Sequence, residues 1–255
     1  MIRREARLFV CAVQFLTRIP TPQLAGFQPQ WIQRSARYYP LVGQIVGGLA
    51  ALVLYGAAQI WSPWIAALLG VAAGVVLTGG FHEDGLADTA DGLGGGQTRA
   101  RRLEIMKDSR LGSYGALALG LTLALRVAAL VMVLQVSSML AAITLVAAHG
   151  LGRAAAVGAM AVMPYGGDPG MAKEGRPDRT SFFSLTVAAV IAVWPLAFLP
   201  PAAGAGGVAL GLVVGAVPAW LAWRLIGGRT GDVLGAVEQA FEIGFLLAVA
   251  GLVVG

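Results

Sequence analysis

The chain carries a single cysteine, Cys11, among 255 residues, which rules out an internal disulfide and a cysteine-cluster metal site. Charge is also scarce. Only 12% of the residues are Asp, Glu, Lys or Arg and 57% are hydrophobic, against about 25% charged residues in soluble domains; the mean hydropathy is +0.75. That balance excludes an ordinary soluble fold and marks an integral membrane protein. The net charge of +5 is not a nucleic-acid footprint, because the basic residues are dispersed and no aromatic platform interleaves them. No internal repeat and no shift of composition marks a second domain, so residues 1–255 are expected to form one membrane-embedded domain.

What the chain has in abundance is apolar length. Runs near 41–61, 63–80, 113–136, 139–163, 184–203, 206–226 and 233–254 approach or exceed the roughly 20 residues that cross a bilayer as a helix. The expectation is an all-α, polytopic bundle of about seven transmembrane helices. Ahead of them, Ala6 to Thr17 is shorter, follows Arg3, Arg4 and Arg7, and leads into Arg18-Ile19-Pro20 rather than a small-residue cleavage site. It reads as a retained helix in the interface or partway into the bundle. Segments 1–40, 81–112, 164–183 and 224–232 hold sixteen of the eighteen Lys and Arg, whereas the connections near Ser62, Ser137 and Gly204 hold none. Positively charged short loops stay in the cytoplasm, which predicts a cytoplasmic N-terminus, an outward C-terminus and a cytoplasmic location for every acidic motif.

Acids are rare, yet six of the thirteen Asp and Glu fall between His82 and Asp108. Asp84, Asp88 and Asp91 are spaced i, i+4, i+7, which puts three carboxylates on one helical face, where they repel one another unless a cation lies between them. Hard oxygen ligands of this kind suit Mg²⁺, which is commonly held by a few carboxylates together with substrate phosphates. A glycine break at Gly94-Gly95-Gly96 lets the next stretch fold back as a hairpin. There Glu104 and Asp108 are again i, i+4, with Lys107 and Arg110 beside them. Acids on both arms can serve two metal ions and a diphosphate. The plainer alternative is a solvated helix surface whose acids pair with Arg99, Arg101, Arg102, Lys107 and Arg110.

Farther along, Gly228-Arg229-Thr230-Gly231-Asp232 makes a turn at a helix N-terminus, a position whose free N–H groups favour phosphate; Asp232 can equally be a helix cap. Glu238 and Glu242 continue into an apolar span, and His149 with Arg153 form an i, i+4 pair in another. Ionisable groups at such depth usually face the bundle interior. Arg126 stands alone in a span, with no sequence neighbour to pair with. The stretch from Met163 to Ser184, with Asp168, Lys173, Arg176 and Arg179, reads either as a cover over an anionic ligand or as a charged loop that sets topology.

With those residues on the page, the chain resembles the cobalamin synthase family, the adenosylcobinamide-GDP ribazoletransferases. The likeness is carried by Phe15 to Pro20, Tyr38 to Gly43, His82 to Gly92, Arg102 to Gly112, Gly152-Arg153, Met163 to Tyr165, and Thr230 to Gly235 with Glu238 and Glu242. It implies an Mg²⁺-dependent enzyme of the bacterial inner membrane with its active site toward the cytoplasm. Such an enzyme joins adenosylcobinamide-GDP to α-ribazole, or to α-ribazole 5′-phosphate, and releases GMP. On that resemblance Asp84, Asp88, Asp91, Glu104 and Asp108 are the metal ligands, with Asp108 and Asp91 catalytic and Asp108 accepting the proton of the attacking hydroxyl. His82, Lys107, Arg110, Arg153, Arg229, Asp232, Glu238 and Glu242 then contact substrate. Membrane lipid surrounds the chain, no nucleic acid is a partner, and a homo-oligomer is allowed. One departure stands out: Glu83 occupies a position where the family pattern leads us to expect an apolar residue, so it is left outside the site. A weaker similarity, Asp88-x-x-Asp91-Gly92 followed by Glu104-x-x-x-Asp108, links the chain to CDP-alcohol phosphotransferases. A secondary transporter is the non-enzyme alternative, disfavoured because the acids cluster at one membrane face.

Overall fold

The computed structural model describes residues 2–167 and 181–255; the loop residues Asp168, Lys173, Arg176 and Arg179 lie outside them. Among the described residues the architecture is all-helical. Eleven α-helices follow in order: α1 (Ile2–Leu16), α2 (Gln30–Ser35), α3 (Tyr39–Ala58), α4 (Pro63–Thr78), α5 (Phe81–Gly95), α6 (Arg99–Ile105), α7 (Ser113–Val136), α8 (Ser138–Val162), α9 (Phe182–Val193), α10 (Pro201–Ile226) and α11 (Gly231–Val254).

Among the described residues, five stretches are long and apolar enough to cross a membrane: Gln30–Ala58, which contains α3, and then α7, α8, α10 and α11. The protein is therefore a multi-pass membrane protein. The expected seven are not reached by length, for two reasons. The run at 63–80 belongs to α4, which with α5 forms a pair bent by 88°, a sixth crossing only if the pair counts as one. The run at 184–203 breaks into α9 and a 3₁₀ turn, Trp194–Phe198, because Pro195 and the Pro200-Pro201 pair interrupt the helical hydrogen-bond ladder. The third uncharged connection accordingly lies at Leu199-Pro200, and Gly204 falls inside α10.

Local chemistry sets the other boundaries. Ser137 is extended, ends α7 and caps α8, its Oγ accepting the Leu140 N–H at 3.3 Å. Thr230 caps α11 by accepting the Val233 N–H at 3.2 Å. The bend between α4 and α5 is made by Gly79 and Gly80, at φ of 68° and 70°, a left-handed conformation that side-chain-bearing residues adopt only at a cost. Helix α1 buries Leu8, Cys11, Ala12, Val13 and Leu16 along one side, and Glu5 ties it to Tyr38 (2.8 Å) and Arg37 (3.3 Å). It is a helix ahead of the spans with one side packed on the bundle.

The main core is built from α3, α4, α7, α8 and α11, around Leu54, Leu130, Leu145, Phe241, Phe245 and Leu246. Helix α5 packs into this frame against α7 and α11. A Cβ on Gly85 would stand 2.9 Å from the Asp232 carbonyl oxygen, so the helices can cross this closely only at glycine. The short α6 folds back on α5 with Leu103 and Met106 buried. Its Arg99 donates to the Ile226 carbonyl (2.9 Å) and Arg102 to the Leu225 carbonyl (3.3 Å), satisfying the C-terminal end of α10.

Candidate active site

Successive residues of α5 point about 100° apart, which splits its charged residues between two surroundings. Asp84 and Asp88 line a groove of about 490 Å³ together with Arg18, Ser109 and Leu111. Asp91 lies one turn farther on and is buried. Its Oδ2 accepts the Gly112 N–H at 2.8 Å and its Oδ1 the Gly115 N–H at 2.9 Å. The carboxylate thus holds the first turn of α7, and a Cβ on either glycine would collide with it. Asp84, Asp232 and Asp91 all act electrostatically on Asp88. Asp84 and Asp88, open to the groove, are oxygen donors of the kind a hard divalent cation takes, whereas both Asp91 oxygens are already engaged by backbone N–H groups, and no three of these carboxylates bring ligand atoms within 4.8 Å of one another as His149, Glu238 and Glu242 do.

The second arm of the hairpin differs from the expected acid-bearing helix. Helix α6 ends at Ile105, and Asp108 lies in the turn beyond it, so Glu104 and Asp108 do not share a helical face. The cause is local: Asp108 Oδ1 accepts the Arg110 N–H at 3.1 Å, an Asx-type turn that competes with helix. The Arg110 side chain also closes on Asp108, with Nη2 at 2.5 Å from Oδ2. These bonds hold the Asp108 carboxyl down at about 2 and raise Arg110. Glu104 pairs with Arg101 at 2.8 Å on the exposed surface. Neither Glu104 nor Asp108 lines the groove; Ser109, between Asp108 and Arg110, does. Lys107 is exposed on the same turn.

The other surroundings of α5 are internal. Glu83 Oε1 lies 3.2 Å from Arg126 Nη1 and 3.2 Å from Gln239 Nε2, and Arg126 Nη1 also donates to Gln239 Oε1 at 2.8 Å. Glu242 Oε2 lies 2.8 Å from Arg126 Nη2, an electrostatic contact without hydrogen-bond alignment. Glu242 Oε1 is 2.8 Å from His149 Nδ1 and 3.2 Å from Arg153 Nη1, which reaches Glu238 Oε1 at 2.6 Å. His82 is buried within electrostatic reach of the same groups. His149, Glu238 and Glu242 offer ligand atoms within 4.8 Å of one another, but the Arg153 guanidinium already supplies the positive charge there. Arg126, Arg153, Glu238 and Glu242 are at most 2% exposed. They bind each other as an internal network rather than forming an open ligand surface. Arg229 is also buried, at the loop before α11, and burial lowers its affinity for its proton.

The family pattern leaves Glu83 outside the site, and the sequence around Arg126 offers it no partner. The structure makes each the answer to the other. The available signal was chemical: a guanidinium inside an apolar span demands a carboxylate, and Glu83 was the acid left over. Arg18 and Ser109 were also missed as groove residues, although both sit in segments that carry the family likeness. A cavity of about 700 Å³ lies between α8, α10 and α11 and is lined by apolar side chains such as Leu151, Val208, Trp223 and Phe241. It offers nothing that would handle phosphate.

Fold and groove define the class: a multi-pass, all-helical membrane protein presenting a carboxylate-lined groove at the start of α5. The sequence profile of the cobalamin-5-phosphate synthase family matches residues 8–250, and the chain belongs to that family of enzymes. It is similar to the adenosylcobinamide-GDP ribazoletransferase of Leptothrix cholodnii, at 47% identity over 94% of this chain and 93% of the relative. The proteins of that name from Azorhizobium caulinodans and Shewanella amazonensis are 45% and 41% identical, over 93% and 94% of this chain and 93% and 94% of their own lengths. No solved structure matches the chain.

Proposed function

We propose that this protein joins adenosylcobinamide-GDP to α-ribazole, or to α-ribazole 5′-phosphate, with release of GMP, on the cytoplasmic face of a bacterial inner membrane. A hydroxyl oxygen of the ribazole forms a bond to the cobinamide-bearing phosphorus. The bond from that phosphorus to the GMP oxygen breaks, and the hydroxyl gives up its proton. The observation that carries this reading is the groove in which Asp84 and Asp88 stand open beside Arg18 and Ser109, in a chain whose relatives bear the ribazoletransferase name.

The carboxylates of Asp84 and Asp88, with Asp91 and Asp232 close by, are the residues that would hold Mg²⁺; bound there, the ion supplies charge neutralisation for a diphosphate. Arg18 offers the groove a guanidinium for phosphate oxygens. Arg110 is suited to exchange partners: on turning to a phosphate it releases Asp108, whose carboxylate then becomes a stronger proton acceptor beside Ser109. The internal network holds α5 in register, so that Asp84 and Asp88 face the groove while Glu83 faces Arg126.

Purified protein in detergent, given Mg²⁺, adenosylcobinamide-GDP and α-ribazole, is expected to release GMP in step with formation of the joined corrinoid. CMP release from a CDP-alcohol under the same conditions, with no GMP release, would replace this reading with lipid phosphotransfer.

A further inference from the structure

Arg229 is 4% exposed, and its Nε and Nη2 have no hydrogen-bond partner. Among the described residues no carboxylate pairs with it. A buried cation left this way is costly, and charged groups inside proteins are ordinarily paired. Its position is nonetheless firmly built. The Arg229 N–H donates to the Pro164 carbonyl at 2.9 Å and its carbonyl accepts the Gly166 N–H at 2.9 Å, a two-bond bridge between the α8–α9 and α10–α11 connections. A Cβ on Gly166 would stand 2.8 Å from the Gly228 backbone, which keeps this approach to glycine alone. Arg99 Nη2 braces the same turn through the Gly166 carbonyl at 2.8 Å. The polar neighbours that act on the guanidinium are the phenols of Tyr39 and Tyr165, and the next residue, Thr230, caps the 24-residue α11, whose first N–H groups favour an anion.

This cation is not part of the groove that holds Asp84 and Asp88, whose lining does not include it. The two are nevertheless neighbours through the first turn of α11, because Asp232, three residues on, acts electrostatically on Asp88. An ordered guanidinium with no carboxylate partner among the described residues, beside but outside the place proposed for the diphosphate, calls for a second, separate anionic group. We infer that Arg229 is the residue that binds the phosphomonoester of a phosphorylated acceptor, and thus the one that discriminates α-ribazole 5′-phosphate, the acceptor implied by the family's name, from α-ribazole. The inference rests on the reaction proposed above.

The test uses full-length protein in nanodiscs, both acceptors, and the variants Arg229→Met and Arg229→Lys. The ratio of kcat/KM for the phosphorylated over the unphosphorylated acceptor is expected to fall roughly 10- to 100-fold in Arg229→Met, the scale of a charge-assisted hydrogen bond, with partial retention in Arg229→Lys. Inorganic phosphate should compete with the phosphorylated acceptor in the parent protein and lose that effect in Arg229→Met. An unchanged ratio, or phosphate competing only against adenosylcobinamide-GDP, would overturn the assignment. If Arg229→Met fails to fold, the ratio in Arg229→Lys and the competition pattern of the parent protein decide the matter. If the parent protein releases no GMP with either acceptor, the proposed reaction fails. Anion binding at Arg229 is then read separately: phosphate should raise the unfolding temperature of the parent more than that of Arg229→Lys, and equal shifts would reject it.

Discussion

The internal network contains three carboxylates, Glu83, Glu238 and Glu242, and two guanidinium groups, Arg126 and Arg153. Replacing Arg126 by Leu strands the Glu83 and Glu242 carboxylates in the apolar bundle interior, while replacing Glu83 by Leu leaves Arg126 its contact with Glu242. Arg126 makes contacts at 2.8 Å to Gln239, 2.8 Å to Glu242 and 3.2 Å to Glu83. At about 0.6 kcal/mol for each of the two hydrogen bonds, to Gln239 and Glu83, their loss amounts to about 1 kcal/mol, and the stranded carboxylates carry the cost of Arg126→Leu toward 3–5 kcal/mol, the range seen when one partner of a buried pair is removed. Glu83→Leu gives up two 3.2 Å contacts and should cost about 1 kcal/mol. The decisive quantity is the sign in the double variant: in the Arg126→Leu background, Glu83→Leu should stabilise, giving a coupling of about 1–3 kcal/mol. Unfolding by SDS of the four proteins in bicelles measures all three terms. Additive effects, or Arg126→Leu no more costly than Glu83→Leu, would refute the reasoning that Glu83 is present because Arg126 is.

Asp88→Asn should abolish turnover and Mg²⁺ dependence with the fold intact, since Asp88 lines the open groove. Asp91→Asn should in addition lower stability by about 1–3 kcal/mol, because one of its two backbone N–H acceptors becomes a donor; activity against Mg²⁺ concentration and thermal unfolding, measured side by side, separate the two. The Asp108 carboxyl is held at about 2 by Arg110, so it stays ionised above pH 4, and any stability it contributes is present above the ordinary carboxylate range and lost only as pH falls through about 2. In the pH profile of kcat/KM, which reports the free enzyme, Asp108 should therefore give no acid limb between pH 4 and 7, whereas in kcat, where Arg110 has turned to phosphate, an acid limb near the ordinary carboxylate value of about 4 that disappears in Asp108→Asn is expected; a kcat profile without that limb would refute the release of Asp108. Reporter fusions at Gly96 and Pro200 should report opposite compartments, the first cytoplasmic; the same compartment for both would move the groove to the other face of the membrane.

Much of this protein follows from local chemistry. The apolar runs, the capping Ser137 and Thr230, and the prolines at 63, 200 and 201 specify most helices, because helical hydrogen bonds, capping and hydropathy act over a few residues. The i, i+4, i+7 spacing likewise marks Asp84, Asp88 and Asp91 as one helical face, whatever the helix packs against. The sequence alone could not decide between Glu83 and Asp84. They are adjacent, and which of them meets a groove and which a buried guanidinium depends on the rotation of α5 against α7 and α11. The partners of Arg126 lie 43 and 113 residues away, and no periodicity carries information over that distance. Asp108 shows the opposite case, in which a short-range bond to Arg110 overrode the helical spacing and sent the second acid off the helix. Tertiary packing assigned the charges because burying an ion in an apolar bundle is tolerable only where a specific partner arrives from elsewhere in the chain.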